Sequence, residues 1–249
     1  MVVNTWMRML VIVSLLFLSS VGKSEDSAFW RESSHPGMTS TNDCGFISEI
    51  LGTPQIRRSF MSEKDAGLPA YIADRIHSGD ELAVPPGGRL EWTCGNNVIV
   101  MLGAGAKAKI EGLRVFQVEN GVSASRLDIR LLEGSMRVQA RLNEERPEGV
   151  LVSVEGAEVL LTRGDVQISA GSPWRVAAIS GLVSARLRRG NVVGAPFGFS
   201  ESVMVEGQGE ESLDEEELVA IKFGLPFSFE TKRAALPPLP AASALLEAP

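Results

Sequence analysis

Aromatic side chains are scarce in this 249-residue chain: they make up 6% of it, and Tyr71 is the single tyrosine. The chain has two cysteines and two histidines, without CxxC or HxxxH spacing, so we expect no metal site. The formal net charge of −7 argues against a nucleic-acid partner, which would require a clustered basic excess. With 44% hydrophobic and 22% charged residues, the composition is that of a globular protein, which excludes a wholly disordered chain and a polytopic membrane protein.

Long hydrophobic runs are also missing. The longest, residues 9–18, is about half of the roughly 20 residues that a spanning helix needs. Arg8 precedes this run, and Ser20-Val21-Gly22 supplies small residues for cleavage, as in a secretory signal peptide. We therefore predict that residues 1–22 are a cleaved signal, the alternative being a retained anchor. The mature chain is then periplasmic or secreted, without a membrane span or a cysteine for lipid attachment.

Export would place Cys44 and Cys94, the only cysteines, in a compartment that permits disulfides. A single disulfide between them is our candidate pairing. The alternative is two buried thiols that never meet, because the sequence does not show whether the two Cα atoms lie within about 7 Å.

The central part of the chain alternates apolar and polar residues, which predicts half-buried strands. Alternation is clear in residues 106–111, 127–131, 136–142, 166–170 and 183–187. Glycines recur between these segments, including Gly112, Gly134, Gly164 and Gly181, and we interpret them as turns. The pattern predicts an all-β fold of roughly twelve short antiparallel strands, either a two-sheet sandwich or a β-solenoid.

The segments outside this region have other compositions. Residues 23–43 are rich in Ser and Thr and predict a flexible leader. The β domain spans 44–207, and an acidic extension spans 208–233. In that extension Ser212 and the acidic residues after it are typical of a helix start, so we predict one short C-terminal helix. The Pro- and Ala-rich residues 234–249 predict a disordered tail.

None of the motifs that could carry catalysis has the structural context that its chemistry needs. Gly103-Ala104-Gly105 leaves no room for the helix that a dinucleotide site needs before the next strand. No GxSxG segment is present, and in Ile76–Leu82 the Ser, His and Asp are too close in sequence to assemble a triad. Arg163-Gly164-Asp165 is interpreted as a hairpin turn. We therefore predict no catalytic residues, no cofactor and no enzymatic activity.

Four arginines suggest an alternative binding function. Arg126, Arg130, Arg137 and Arg141 fall on the polar faces of two consecutive strands. If those strands pair as a hairpin, the arginines form a basic stripe that suits polysaccharides or anionic surfaces, since guanidinium groups bind carboxylates and phosphates bidentately. The alternative is an ordinary solvated face whose charge is balanced by neighbouring acidic residues.

Several segments of residues 44–207 match a known family in order and spacing. They include Phe46–Gly52, Ile76–Leu82 (I-x-x-G-D-x-L), Leu131–Val138 (like L-x-x-G-x-L-x-V, with Met136 at the second Leu) and Ile179–Val183. On these segments the chain resembles the FecR-type periplasmic domain, named after the ferric-citrate regulator. It departs from the family pattern at Val154–Ala157, where Thr-Pro-x-Ala is usual, and at Asp165, where Thr is usual.

The resemblance implies a β-rich envelope domain that works by protein contact. Signalling members carry a cytoplasmic anti-sigma segment, whereas a predicted signal peptide occupies that place here. We therefore expect a non-enzymatic adaptor or sensing domain with an envelope protein as partner. The alternative is a glycan- or polyanion-binding domain that uses the arginine stripe. We expect Trp92, which alternates with Leu90 and Cys94, to lie in the core.

Overall fold

The computed structural model describes residues 39–117, 123–141, 148–189, 192–193, 197–199, 202–205 and 209–212. These residues form eighteen strands and no helix. The strands are β1 (Thr39–Thr41), β2 (Asp43–Leu51), β3 (Gln55–Arg57), β4 (Leu68–Pro69), β5 (Arg75–His77), β6 (Glu81–Ala83), β7 (Arg89–Cys94), β8 (Val98–Leu102) and β9 (Lys107–Gln117). They continue as β10 (Ser123–Glu133), β11 (Ser135–Ala140), β12 (Glu148–Val154), β13 (Ala157–Ser169), β14 (Arg175–Arg189), β15 (Val192–Val193), β16 (Phe197–Phe199), β17 (Ser202–Val205) and β18 (Gly209–Ser212).

The all-β prediction is confirmed. The signal peptide, the helix predicted after Ser212 and the C-terminal tail lie outside the described residues. Strand β1 begins at Thr39, inside the segment that we assigned to the leader. Within the described part of the chain, no helix is long and apolar enough to cross a membrane.

The strands form one strongly curled mixed sheet with two lobes. In the first lobe the neighbour order is β4, β3, β6, β9, β10, β12, β13. In the second lobe it is β5, β2, β7, β8, β11, β13. Strand β13 belongs to both lobes, and β14 pairs with it along nearly its whole length. All these pairings are antiparallel except that of β10 with β12, which is parallel.

The sheet passes from one lobe to the other at two glycines inside long strands. Gly164 of β13 lies opposite Gly181 of β14, with register shifts on either side of this pair. Both have positive φ, +123° and +78°, and a Cβ at either position would collide with the backbone of the opposite strand. Glycine is therefore required where the two backbones approach closely.

One large hydrophobic core lies inside the curled sheet. The first lobe contributes Leu127, Ile129 and Val152, and the second contributes Trp92 and Val138, all buried in one cluster. Trp92 has no exposed surface, which confirms that it belongs to the core. Burial of this apolar surface stabilises the fold by about 25 cal/mol per Å² and holds the two lobes together.

Three predicted turns are wrong, because Gly112, Gly164 and Gly181 each lie within a strand. Gly164 lies within β13, so Arg163-Gly164-Asp165 is an irregular stretch of strand and not a hairpin turn. Gly112 likewise lies within β9, where the pairing with β10 shifts register. These glycines mark bulges, where the extra residue bends a continuing strand. As a result, β9, β10, β13 and β14 are longer than the short strands that the glycine spacing predicted.

Candidate interaction surface

The segment Ile76–Leu82 contains a turn between β5 and β6 that side-chain hydrogen bonds hold in place. The carboxylate of Asp80 is buried and accepts hydrogen bonds from the Arg58 guanidinium at 2.8 Å and from the backbone N–H groups of His77 and Ser59 at 2.9 and 3.2 Å. The hydroxyl of Ser78 instead donates to the carbonyl oxygen of Glu111 at 3.0 Å. Asp80 therefore holds the connection to the Arg58 loop, and Ser78 contributes to strand packing.

The four predicted stripe arginines do not lie on one hairpin. Strand β10 pairs with β9 and β12, and β11 pairs with β8 and β13. The hairpin on which the stripe was based is therefore wrong. The two strands lie in different lobes because the chain changes direction at Gly134, where φ is +73° and an added Cβ would meet Ala106 at 2.6 Å.

Three of these arginines are bound to carboxylates. Arg126 contacts Asp128 at 2.6 Å, and Arg130, which is more than half exposed, contacts Glu111 at 2.6 Å. Arg137 is buried and forms a bidentate pair with Asp165 at 2.5 and 2.8 Å. Arg141 lies just after β11, where its backbone N–H donates to Asn97.

Charges of both signs cover the outer surface of the first lobe. Arg57 lies opposite Glu81, Glu81 opposite Lys109, and Lys109 opposite Arg130 on four successive strands. Glu81 also contacts Lys107 at 2.9 Å. Burial alone would raise the pKa of Glu81, but the hydrogen bonds and charges of Lys107 and Arg57 outweigh it and hold that pKa below its usual value. On this face the carboxylates of Glu81 and Glu111 pair with Arg57, Lys107 and Arg130, so most of its positive charge lies beside negative charge.

The disulfide predicted between Cys44 and Cys94 is not formed, and both residues are free, buried thiols. Cys44 precedes an irregular turn of β2 at Gly45, which has a φ of +116°. Its Sγ lies 3.8 Å from the carbonyl oxygen of Asn42. Burial, reinforced by the charge of Asp43, raises the pKa of Cys44 to about 12. Burial likewise raises the pKa of Cys94 to about 12, so neither thiol is a nucleophile near neutral pH.

A group of large apolar side chains is exposed near the start of the sheet. We call this group the apolar patch; it comprises Phe46, Leu51, Phe60, Leu68, Tyr71 and Ile72, with exposed fractions of 40%, 55%, 85%, 49%, 64% and 65%. In the described part of the chain, Leu132 is the one other large hydrophobic residue that is similarly exposed. Exposed apolar surface marks a site that binds another molecule when it is contiguous.

Backbone hydrogen bonds hold the Tyr71–Ile72 loop of the apolar patch in place. The N–H of Ala73 donates to the carbonyl of Ile47 at 2.8 Å, and the N–H of Ile47 donates to Asp74 at 2.9 Å. The N–H of Ala70 donates to Pro54 at 2.9 Å. The loop that carries Tyr71 and Ile72 is therefore fixed against β2 on one side and against the chain before β3 on the other.

Two further features shape this surface. Ala73 has a φ of +71°, a left-handed conformation that costs a residue with a Cβ about 1–2 kcal/mol and turns the loop back toward β5. The Arg75 guanidinium lies 6.0 Å above the Phe46 ring, and Arg75 also contacts Asp43 at 3.2 Å. The patch is thus an apolar surface with charged groups at its margin, as is usual for protein interfaces.

The sheet edge at the patch is poorly suited to adding another strand. Among the described strands β4 pairs with β3 alone, so its other side is an edge. It has two residues, and Pro69 provides no N–H, a combination that discourages strand addition. Docking through side chains is therefore favoured here over the addition of a partner strand to this edge.

The sequence pattern does not single out the apolar patch. Its six apolar residues are scattered over β2, β4 and two connections, without a period that separates them from core residues. One feature of the sequence could have indicated it. Phe60, Tyr71 and Ile72 lie in segments without strand alternation, where burial in the core is less expected.

No protein-family profile matches the chain, and no characterised protein is detectably similar to it in sequence. Two crystal structures of a candidate anti-sigma factor from Parabacteroides distasonis, at 2.50 and 1.65 Å resolution, resemble the fold. The first has 16% identity and a TM-score of 0.39 over 56% of this chain and 62% of that one. The second has 15% identity and a TM-score of 0.38 over 57% and 63%. The matched region is thus less than two thirds of those chains.

Proposed function

We propose that this chain is a non-enzymatic interaction or sensing domain of the cell envelope that binds a protein partner through its apolar patch. The observation that carries this proposal is the exposure of Phe60, Tyr71 and Ile72 on connections held in place by the sheet. Their side chains would lose most of their exposed apolar surface on binding, which is the main favourable contribution in protein association.

The sequence supports the same proposal in two ways. The resemblance to the FecR-type periplasmic domain points to an envelope protein that works by contact. The predicted signal peptide at residues 1–22 points to export, and hence to a partner in the periplasm or outside the cell. An arginine-based polyanion site has less support, because Arg126, Arg130 and Arg137 each bind a carboxylate.

The test is crosslinked co-purification of the tagged chain from the native envelope. The Phe60→Ser/Tyr71→Ser/Ile72→Ser variant is compared with the unmodified chain, and Leu132→Ser is the matched control because it replaces an exposed apolar residue outside the patch. We expect one stoichiometric protein with the unmodified chain and with Leu132→Ser, and loss of that protein with the triple variant. Equal recovery with the triple variant would refute the proposal.

A second arm distinguishes the polyanion alternative. Retention on an anionic polysaccharide matrix is measured for the unmodified chain and for Arg130→Glu, which replaces the most exposed of the three ion-paired stripe arginines. We expect no retention of either. Retention that Arg130→Glu abolishes, without a co-purified protein, would favour the polyanion function.

A further inference from the structure

Strand β5 lies at the end of the second lobe. Among the described strands it pairs with β2 alone, so its other side is an edge of the sheet. An edge presents backbone N–H and C=O groups to which a strand of another molecule can add. The three residues of β5 include no proline. Unlike β4, this strand is therefore not protected by its composition.

Two residues of β5, Arg75 and His77, direct their backbone groups to this edge. The residues that flank them bond in the other direction: the carbonyl of Asp74 accepts a hydrogen bond from β2, and the N–H of Ser78 donates to the residue before β2. Successive residues of a paired strand direct their N–H and C=O groups to opposite sides. The groups of Arg75 and His77 therefore point away from β2.

A charged pair binds three of these four backbone groups. The Arg58 guanidinium donates to the carbonyl oxygen of Arg75 at 2.7 Å. The Asp80 carboxylate accepts from the N–H of His77 at 2.9 Å, and the N–H of Asp80 donates to the carbonyl of His77 at 3.1 Å. Arg58 and Asp80 also contact each other at 2.8 Å. The pair thus occupies the position in which a neighbouring strand would bond to β5.

The fold of the first lobe brings these two side chains to β5. The pairing of β3 with β6 ends at Arg57 and Glu81, and Arg58 and Asp80 are the adjoining residues. The N–H of Ser59 donates to the other carboxylate oxygen of Asp80 at 3.2 Å, which fixes the turn after Arg58. The Arg58 side chain is 19% exposed and that of Asp80 is 1% exposed, so water has little access to these bonds.

We propose that the Arg58–Asp80 pair closes the β5 edge to strand addition by a second copy of this chain. Two copies related by a two-fold axis would present the same β5 edge to each other. Formation of that contact requires release of the bonds to Arg75 and His77. It would also leave the buried carboxylate of Asp80 without its partners, which is strongly unfavourable. The pair therefore both occupies the edge and opposes its opening.

Self-association of the full chain tests this proposal. Sedimentation velocity over a range of protein concentrations compares the unmodified chain with Arg58→Ser/Asp80→Ser, whose short side chains do not reach β5. The matched control is Arg57→Ser/Glu81→Ser, which removes the adjacent ion pair and leaves the β5 edge bound. We expect Arg58→Ser/Asp80→Ser to self-associate at least about tenfold more strongly than the other two chains, because its freed backbone groups gain partners.

Amide hydrogen exchange at His77 shows where the copies meet. In the unmodified chain this N–H should be protected at every protein concentration. In Arg58→Ser/Asp80→Ser it should exchange rapidly in dilute solution and become protected as the chain associates. If that variant fails to fold, Arg58→Gln replaces it. Arg58→Gln keeps Asp80 and frees the carbonyl of Arg75, so we expect a smaller increase in self-association.

Three results would overturn the proposal. The first is a folded Arg58→Ser/Asp80→Ser variant that associates no more strongly than the Arg57→Ser/Glu81→Ser control. The second is stronger association without protection of His77, which would place the contact elsewhere, for example at the apolar patch. The third, where only Arg58→Gln folds, is self-association equal to that of the unmodified chain.

Discussion

Arg137 and Asp165 form a buried ion pair on adjacent strands of the second lobe. Their bidentate contact and the additional hydrogen bond from Gln139 satisfy both carboxylate oxygens of Asp165. Removal of one partner would leave the other charge buried and unpaired, which typically costs 3–5 kcal/mol, whereas replacement of both with apolar residues costs far less. The stability effect of a substitution at one of these two positions therefore depends strongly on the residue at the other.

We predict that Asp165→Asn lowers the free energy of unfolding by about 3 kcal/mol, measured by urea denaturation. The double variant Arg137→Met/Asp165→Leu should recover most of this loss. Equal losses in the single and double variants would show that shape, and not the uncompensated charge, determines the stability of this site.

The two buried thiols lead to a prediction about pH. Because the pKa of each is raised to about 12 in the folded chain and is near 9 when unfolded, only the unfolded chain ionises between these values. The stabilising contribution is therefore complete below pH 9 and is lost as pH rises toward 12. Urea titrations should show stability falling above pH 9, and the fall should be smaller in Cys44→Ala/Cys94→Ala.

Thiol titration gives an independent check at neutral pH. Ellman's reagent should label neither Cys44 nor Cys94 in the native chain and both in urea, without prior reduction. No labelling in urea would mean that the two residues form the disulfide that the sequence suggested.

At the scale of elements, the crossing of β13 and β14 depends on Gly164 and Gly181. We predict that Gly181→Ala lowers the free energy of unfolding well beyond the loss in Gly105→Ala. Gly105 also has positive φ, +71°, but open space around its Cβ position, so alanine there carries only the conformational cost of about 1–2 kcal/mol. Thermal denaturation of both variants provides the comparison. Equal losses of stability would show that the close approach of the β13 and β14 backbones adds no cost to the substitution.

Strands were predictable from sequence, but their pairing was not. The five alternating segments all fall mainly within strands, because a half-buried strand imposes a period of two on its residues. The same period appears in β11, where Arg137 and Gln139 alternate with Met136 and Val138, yet both faces are buried. Alternation distinguishes two faces and does not show which of them water reaches, so the arginine stripe was assigned to a solvated surface that does not exist at Arg137.

The pairing of strands that are far apart in the chain was also not predictable from the sequence. Strands β10 and β11 are consecutive and joined at Gly134, which favoured a hairpin, but each finds its partners in a different lobe. Cys44 and Cys94 lie on neighbouring strands, as a disulfide would need. The irregular turn at Gly45, however, determines the orientation of the Cys44 side chain. These outcomes depend on tertiary packing, which local residue patterns do not encode.

At the scale of the whole molecule, the apolar patch draws on both lobes, because Phe46 and Leu51 lie on β2 of the second lobe and Leu68 lies on β4 of the first. We expect the Phe60→Ser/Tyr71→Ser/Ile72→Ser variant to keep the urea midpoint of the unmodified chain, because exposed side chains contribute little to the free energy of unfolding. A large fall in that midpoint would show that loss of partner capture reflects a general defect in folding.

The parallel pairing of β10 with β12 has a kinetic consequence. Between these strands the chain crosses to the second lobe, forms β11, and returns to the first, so neither lobe can be completed before the other has begun. Contacts between residues far apart in sequence must form early, and such topologies refold in milliseconds to seconds, more slowly than helical proteins of similar stability. After dilution from urea, tryptophan fluorescence, to which the buried Trp92 and Trp174 contribute, and hydrogen exchange in β12 should recover together, and separate recovery would show that one lobe forms without the other.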